Sequence, residues 1–532
     1  MSRAARLAGL LGVWGRRLLA LACLGQLALL AYVLWRRAGY PFDLEWMEGG
    51  MLVHSWRIMK GQPLYGPPSV DFVSYLYTPL YPAVVAALGK LVGLHYVLGR
   101  LVSIASLGVV MVLGYRAARR EGAPVAVALV PAGLLAAAFP FCGAWYDVVR
   151  NDSLFLALVT GGLYLVAYHH GDLARVALAG VIMGLALLTK QTASAFIVCA
   201  SLGLLLFRWR SLPLFLLTAG ATLGLIGGLL QRSSGGWFWT YIYRLHQNHD
   251  FYAKRAFLDT PLILLKHEPI TLGLLVALFV LLIVRRHLTR TTFFWALVAG
   301  AGLAISCVGF GTQWAFANAF IPGVAFPALA LATLAGRAYA APQAEGTGRA
   351  LFAAAGALLL TAQLAVRVYD PRPFLPTAQS RAAGERLIAR LRQAPGPVFV
   401  PDHPFYAVLA GKEAHFHRMG LWDVRRAGYG FPRGLVESIQ GQKWALVVMD
   451  SRTQWHQWPG LQQRYRTVTV ADERDMPHVF SGAGAATEKV RPLLYPKFFM
   501  EPISTAAPAT AAPPPASPAT RPAGPRTYDD SP

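Results

Sequence analysis

Three carboxylates fall within six residues in Asp43-Leu44-Glu45-Trp46-Met47-Glu48, in a chain with 26 acidic residues against 49 lysines and arginines. The segment follows a long apolar run, so it meets a bilayer surface, where a carboxylate costs desolvation energy unless something pairs or uses it. One reading is a solvated loop; the other is a general base that takes the proton of an attacking hydroxyl. Asp43 is the first candidate base, ahead of Glu45, with Glu48 third. A second cluster, Trp145 to Ser153, crowds Asp147, Arg150 and Asp152 into a short loop, although Asn151, Asp152 and Ser153 also suit a helix cap. Asp152 is a second candidate acid. In Leu187-Leu188-Thr189-Lys190-Gln191, Lys190 falls at the end of an apolar run. An ammonium at that depth snorkels to the headgroups, or joins Arg150 in clamping a phosphate. Arg57 and Lys60 offer further cations to the same phosphate, and Trp46, Tyr77, Asp147 and Gln191 are candidate substrate contacts.

Two weaker features complete the inventory. His246-x-x-His249-Asp250 has helical spacing for a metal, but no third ligand is identifiable. His246 and His249 therefore read as loop or substrate contacts. No metal site is assigned, no cofactor is certain, and a divalent cation is left open. Phe310 to Asn318 is a polar-aromatic loop that suits sugar stacking and equally suits an interfacial aromatic belt.

The elements that must position these groups are membrane helices. The chain is 55% hydrophobic and 14% charged, where a soluble domain carries about 25% charged residues. Apolar runs near 17–35, 97–115, 124–142, 153–168, 173–190, 194–207, 212–230, 270–284, 292–310, 318–336 and 349–366 predict about eleven spans of a core roughly 30 Å thick. The run 83–94 is a possible extra or re-entrant one. Arg16, Arg17, Arg116, Arg119, Arg120, Arg175, Arg208, Arg210, Arg285, Arg286, Arg290 and Arg337 share one side if spans alternate, as do Arg3, Arg6 and Arg349, so the N-terminus is expected in the cytoplasm. The first run exits through Tyr32-Val33-Leu34-Trp35-Arg36-Arg37 without a small-residue cleavage site, as an uncleaved anchor would.

The sizeable loops, about 36–82, 143–152, 231–269 and everything after 367, then lie outside. Within the first of them, 43–60 is expected to be an interfacial amphipathic helix. The predicted architecture is an α-helical polytopic membrane domain (1–370), a small extracytoplasmic α/β domain (371–500) and a disordered Pro/Ala/Thr-rich tail (501–532). The net charge of +23 is dispersed through short loops, which fits topology and anionic lipid rather than nucleic acid. The four cysteines lie in apolar segments without a C-x-x-C pair, so neither disulfides nor zinc is expected.

A base, cations at lipid-phosphate depth and aromatic surfaces on one face suit sugar transfer from a lipid-linked phosphate. One carboxylate suffices when the configuration inverts, and the leaving phosphate needs Arg or Lys. No Walker motif or G-x-G-x-x-G supports nucleotide use. The order of features resembles the GT-C superfamily of polytopic glycosyltransferases, in the bacterial branch similar to protein O-mannosyltransferases and lipid A aminoarabinose transferases. The resemblance covers roughly residues 15–335. It is carried by Asp43 to Gly49, Gly61-Gln62-Pro63-Leu64-Tyr65, Tyr77-Thr78-Pro79-Leu80-Tyr81-Pro82, Gly99-Arg100-Leu101-Val102-Ser103, Arg150-Asn151-Asp152-Ser153-Leu154 and Leu187 to Gln191.

The resemblance implies a base at Asp43 or Glu45, assistance from Asp152 or Asp147, and Lys190 near the donor phosphate. Two departures stand out: Gln191 replaces the usual Gly, and Leu44 separates acids that the family often has adjacent. The implied partners are a polyprenyl-phosphate sugar and a glycan, lipid or protein acceptor, at a bacterial cytoplasmic membrane. The alternatives are a flippase for lipid-linked glycans, which should show mid-membrane polar pairs or internal symmetry, and an envelope-assembly factor.

Overall fold

A computed structural model describes residues 3–341, 347–451, 458–482 and 495–503. The predicted tail falls outside the described residues from 504 onward; its first residues instead complete a strand, Phe498–Pro502. Among the described residues, six stretches are long and apolar enough to cross a membrane: Gly9–Ala38, Tyr96–Arg120, Asp152–His169, Ala193–Ser233, Arg290–Gly311 and Ala317–Ala340. A seventh arises if Arg255–His267 and Pro269–Val284, which meet at 93°, form one broken span. Leu80–Val92, Leu173–Leu187 and Ala350–Val366 are shorter apolar helices. The chain is a multi-pass membrane protein.

The run 124–142 departs from its expected span. It forms two short helices, Val125–Ala128 and Val130–Ala137, and every residue of the second is buried. Eight residues rise only about 12 Å, too little for a bilayer. Its apolarity comes from burial inside the bundle, which a hydropathy pattern cannot tell from contact with lipid. The runs 194–207 and 212–230 are Ala193–Arg208 and Leu212–Ser233, joined by a single tight turn at Trp209–Ser211.

The segment 43–60 differs as well. Residues 43–47 are turns, the helix is Glu48–Met59, and its first eight residues are buried. Burial requires close approach: a Cβ at Gly50 would run into the Tyr75 hydroxyl, and one at Gly49 would press on Phe405 at 3.2 Å. The segment is thus wedged beneath the C-terminal region rather than lying free on a membrane.

That region holds a four-stranded sheet of β1 (Val398–Phe399), β2 (Leu446–Met449), β3 (Tyr465–Val470) and β4 (Phe498–Pro502), in the order β1-β2-β4-β3. β1 and β2 are parallel and the other pairings antiparallel, with an irregularity between Thr467 and Thr469. A parallel pair needs a long crossover, supplied here by the helices Phe405–Leu409, Arg418–Arg426 and Leu435–Gln440. The ends of β1 and β2 therefore deliver Asp402, His403 and Asp450 side by side, the place where α/β sheets gather functional groups. Backbone bonds tie the unit to the loops of the bundle: Phe480 and Ser481 N–H donate to Leu44 C=O at 2.8 Å, Gly482 to Gly143 at 2.9 Å and Val70 to Arg433 at 2.8 Å.

Candidate active site

The three acids of the first loop have three different environments. Glu48 is fully buried and saturated. Its carboxylate takes N–H bonds from Leu44 and from Val149 (2.7 Å) and a fork from the Arg100 guanidinium at 2.8 and 3.1 Å. Arg100 also donates to the carbonyls of Tyr40 and Phe42, so the pair fixes the exit of the first helix onto the Tyr96–Arg120 helix. Asp147 is likewise spent on a buried pair with Arg37, at 2.7 Å. The carboxylates of Glu48 and Asp147 are consumed by these bonds, and both hold the loops in place.

Asp43 has both oxygens engaged. Oδ1 accepts from Gly49 N–H at 2.7 Å, and Oδ2 lies 2.6 Å from His403 Nδ1, whose Nε2 lies 3.1 Å from Asp450. Burial pushes the Asp43 carboxyl up, against the pull of His403. Burial alone would lower His403, but carboxylates on both of its ring nitrogens override it, so the ring stays charged well above its usual range. Beside this bridge, Arg418 pairs with Asp402 at 2.8 Å.

Glu45 is different. One oxygen meets Arg150 at 3.2 Å, the Met47 backbone N–H also draws on the carboxylate, and Oε1 is buried with no close hydrogen-bond partner. Burial pushes its carboxyl up to about 7, against the attraction of Arg150. Arg150 also donates to the Tyr77 hydroxyl at 2.6 Å. Close by, Lys190 pairs with Asp152 at 2.6 Å and keeps 21% of its side chain exposed; Asn318 donates to the same Asp152 oxygen at 3.1 Å. Asp152 Oδ2, like Glu45 Oε1, is buried and unpartnered.

Arg150, Tyr77, Lys190 and Asn318 border one open cavity that His246, His249 and Asp423 also line. Glu45 lies directly behind Arg150. Gln191 bonds the Leu76 carbonyl at 2.7 Å and approaches His246 at 3.3 Å, supporting the rim. Trp46 packs between His417 and Trp422 just outside. Arg57 and Lys60 stand apart: Arg57 bonds the Pro63 carbonyl and covers Phe72, and Lys60 lies over Trp56, so neither reaches this cavity. Among the described residues no three His, Cys, Asp or Glu side chains converge as a metal-ligand set.

Sequence reasoning missed the contribution of the C-terminal unit: His403, Asp450 and Asp423. A usable signal was present, because Asp402-His403 and Asp450 directly follow the apolar runs that became β1 and β2.

No protein-family model matches the chain, and no curated protein matches it. Two solved structures of ArnT from Cupriavidus metallidurans do resemble it. One, bound to undecaprenyl phosphate, is 14% identical with a TM-score of 0.56, over 92% of this chain and 99% of that one. The apo form is 15% identical with a TM-score of 0.55, over 85% and 97%. Likeness of this extent at such low identity establishes the architecture: this chain shares the fold of these ArnT structures.

Proposed function

We propose that the protein is a membrane glycosyltransferase. It moves a sugar from a polyprenyl-phosphate donor to an acceptor hydroxyl or amine at the outer face of the bacterial cytoplasmic membrane, with inversion. The similarity to an undecaprenyl-phosphate-bound structure supports a lipid-phosphate donor, and the one-sided distribution of arginines supports the outward orientation. The extra helices beyond the six long apolar stretches, chiefly Leu173–Leu187 and Ala350–Val366, complete the bundle, to which the 371–500 unit adds an extracytoplasmic cover.

The observation that carries the reading is the free Oε1 of Glu45 beside an arginine that, with Lys190, faces one cavity. A buried polar atom without a partner calls for an explanation, and a waiting base supplies one. The acceptor oxygen attacks the anomeric carbon and its proton passes to Glu45. The carbon–oxygen bond to phosphate breaks, and its electron pair leaves on the phosphate. Protonation neutralises Glu45 as the phosphate gains charge, which frees Arg150 to join Lys190 in stabilising the leaving group. Asp152 orients Lys190, while Asp43, saturated by Gly49 and His403, positions the loop. This order reverses the sequence-based preference for Asp43 as base.

Transfer from purified donor lipid in reconstituted membranes tests the proposal. Glu45→Gln should lower kcat by about 10²–10⁴-fold, the usual contribution of general base catalysis. Activity surviving in Glu45→Gln but lost in Asp43→Asn would return the base to Asp43; activity surviving in both would reject a first-loop base. Donor lipid crossing vesicles without sugar transfer would identify a flippase instead.

A further inference from the structure

The cavity has lining residues that the phosphate clamp leaves unused. Its wall comes from two segments that grip each other. Tyr252 N–H donates to the Gly311 carbonyl at 2.8 Å, Gln313 N–H to the Asp250 carbonyl at 2.9 Å, and the Gln313 side chain accepts Asp250 N–H at 3.3 Å. The grip ends at Trp314, whose φ is +63°. That left-handed conformation is unfavourable for a bulky residue and persists only where the surroundings enforce it, most often at functional positions.

The Trp314 indole is stacked on Trp422 of the Arg418–Arg426 helix, with ring centroids 5.2 Å apart and planes 20° from parallel. On the same wall His249 Nε2 lies 3.0 Å from Asp423 Oδ1, with side chains only 7% and 3% exposed. Arg426 latches the helix to this wall through the Asn248 carbonyl at 2.7 Å and Asp250 at 2.6 Å. The C-terminal unit thus completes the cavity.

A rigid indole beside a fixed carboxylate and imidazole complements a ligand with an apolar ring face and hydroxyls on its edge. Sites of this kind combine aromatic surface with a few fixed polar groups that set orientation. A peptide would be read through backbone hydrogen bonds, and the backbone of these two segments is engaged in its mutual grip. We propose that this wall of the cavity is the acceptor subsite and that the acceptor is a carbohydrate, its ring on Trp314 and its hydroxyls held by Asp423 and His249. The inference rests on the transferase reading above and names its acceptor class.

Saturation-transfer NMR on the full chain in nanodiscs tests it. The probes are methyl glycosides of glucose, mannose, galactose and N-acetylglucosamine, together with a short serine peptide. At least one glycoside should show saturation transfer that falls at least tenfold in Trp314→Ala and Asp423→Asn and survives in Trp314→Phe. Signals from the peptide alone, from no probe, or from glycosides but unchanged in both variants, would overturn the carbohydrate subsite. Retention of undecaprenyl phosphate, followed on the same samples by native mass spectrometry, reports separately on the donor side and on folding of the variants. Its absence from the wild type would sink the lipid-phosphate reading whatever the glycosides do.

Discussion

Glu45 and Glu48 are three residues apart and embody two uses of a buried carboxylate. Glu48 is paid for by Arg100 and three backbone amides, those of Leu44, Glu45 and Val149. Removing its charge leaves a buried guanidinium uncompensated, a loss that typically costs about 3–5 kcal/mol. Glu48→Gln should therefore lower the thermal midpoint and the amount of folded protein. Glu45 carries a carboxyl raised to about 7, so its ionised form is the one the fold disfavours. From the unfolded value of roughly 4.5 up to about 7, the folded state holds the extra proton, and stability from this group falls as pH rises through that window. Activity needs the ionised base and should rise through the same region, with a midpoint near 7 in kcat/KM. Glu45→Gln should remove this group's share of the pH dependence of stability and lower the midpoint less than Glu48→Gln does, because a carboxyl that is protonated below about 7 gives Arg150 less countercharge to lose. A Glu45→Gln protein as unstable as Glu48→Gln would make Glu45 a structural anchor. The sequence marked this trio by its rarity in a basic chain, but not which member was free, because that depends on Arg100, Arg150 and Gly49 lying where the fold brings them.

At the scale of elements, the first loop and the C-terminal unit are joined through His403, which bridges Asp43 and Asp450 and stacks on Tyr406. Asp43 and His403 are 360 residues apart in sequence. No local pattern announces such a pairing, which is why the acidic loop was legible while its partner was not. The helix Glu48–Met59 shows the same limit: its apolar residues fit a membrane surface and a protein interior equally well, and the docked unit decides for the interior. His403 has a raised pKa, so its contribution is fully present below its unfolded value of about 6.5 and is lost as pH rises through the folded value. The groups facing the ring are Asp43, Asp450 and Tyr406, with Asp402 adjacent. The protection of the Glu48–Met59 amides, taken relative to their intrinsic exchange rates, should therefore fall at alkaline pH in the wild type. In His403→Gln it should be low throughout, by the equivalent of about 1–3 kcal/mol for the unmade bonds of two buried carboxylates. Equal protection in both proteins would show that the sheet unit docks by shape alone.

Across the whole molecule, the cavity draws on positions as distant as Tyr77, Arg150, Lys190, Asn318 and Asp423, so it exists only when bundle, loops and sheet unit are assembled. Its two cations each start with one carboxylate, Glu45 for Arg150 and Asp152 for Lys190. The resting site is thus near neutral, and an arriving phosphate must compete for both. The net charge of +23 draws anionic lipid to the protein by a second route, through exposed arginines, at about 1 kcal/mol per cation near the surface. Salt separates the two routes. At about 1 M salt the Debye length falls to roughly 3 Å, which erases the surface attraction but reaches a buried clamp only weakly. Undecaprenyl phosphate should therefore raise the thermal midpoint at both low and high salt, by the equivalent of about 2.7 kcal/mol at a hundredfold excess over Kd. Arg150→Met with Lys190→Met should retain only the salt-sensitive part. Lys190→Met alone should weaken the lipid more than loss of one contact would suggest, because Asp152 then faces the phosphate uncompensated. A shift that vanishes in salt for the wild type, or that the double variant keeps at high salt, would place the phosphate elsewhere on the protein.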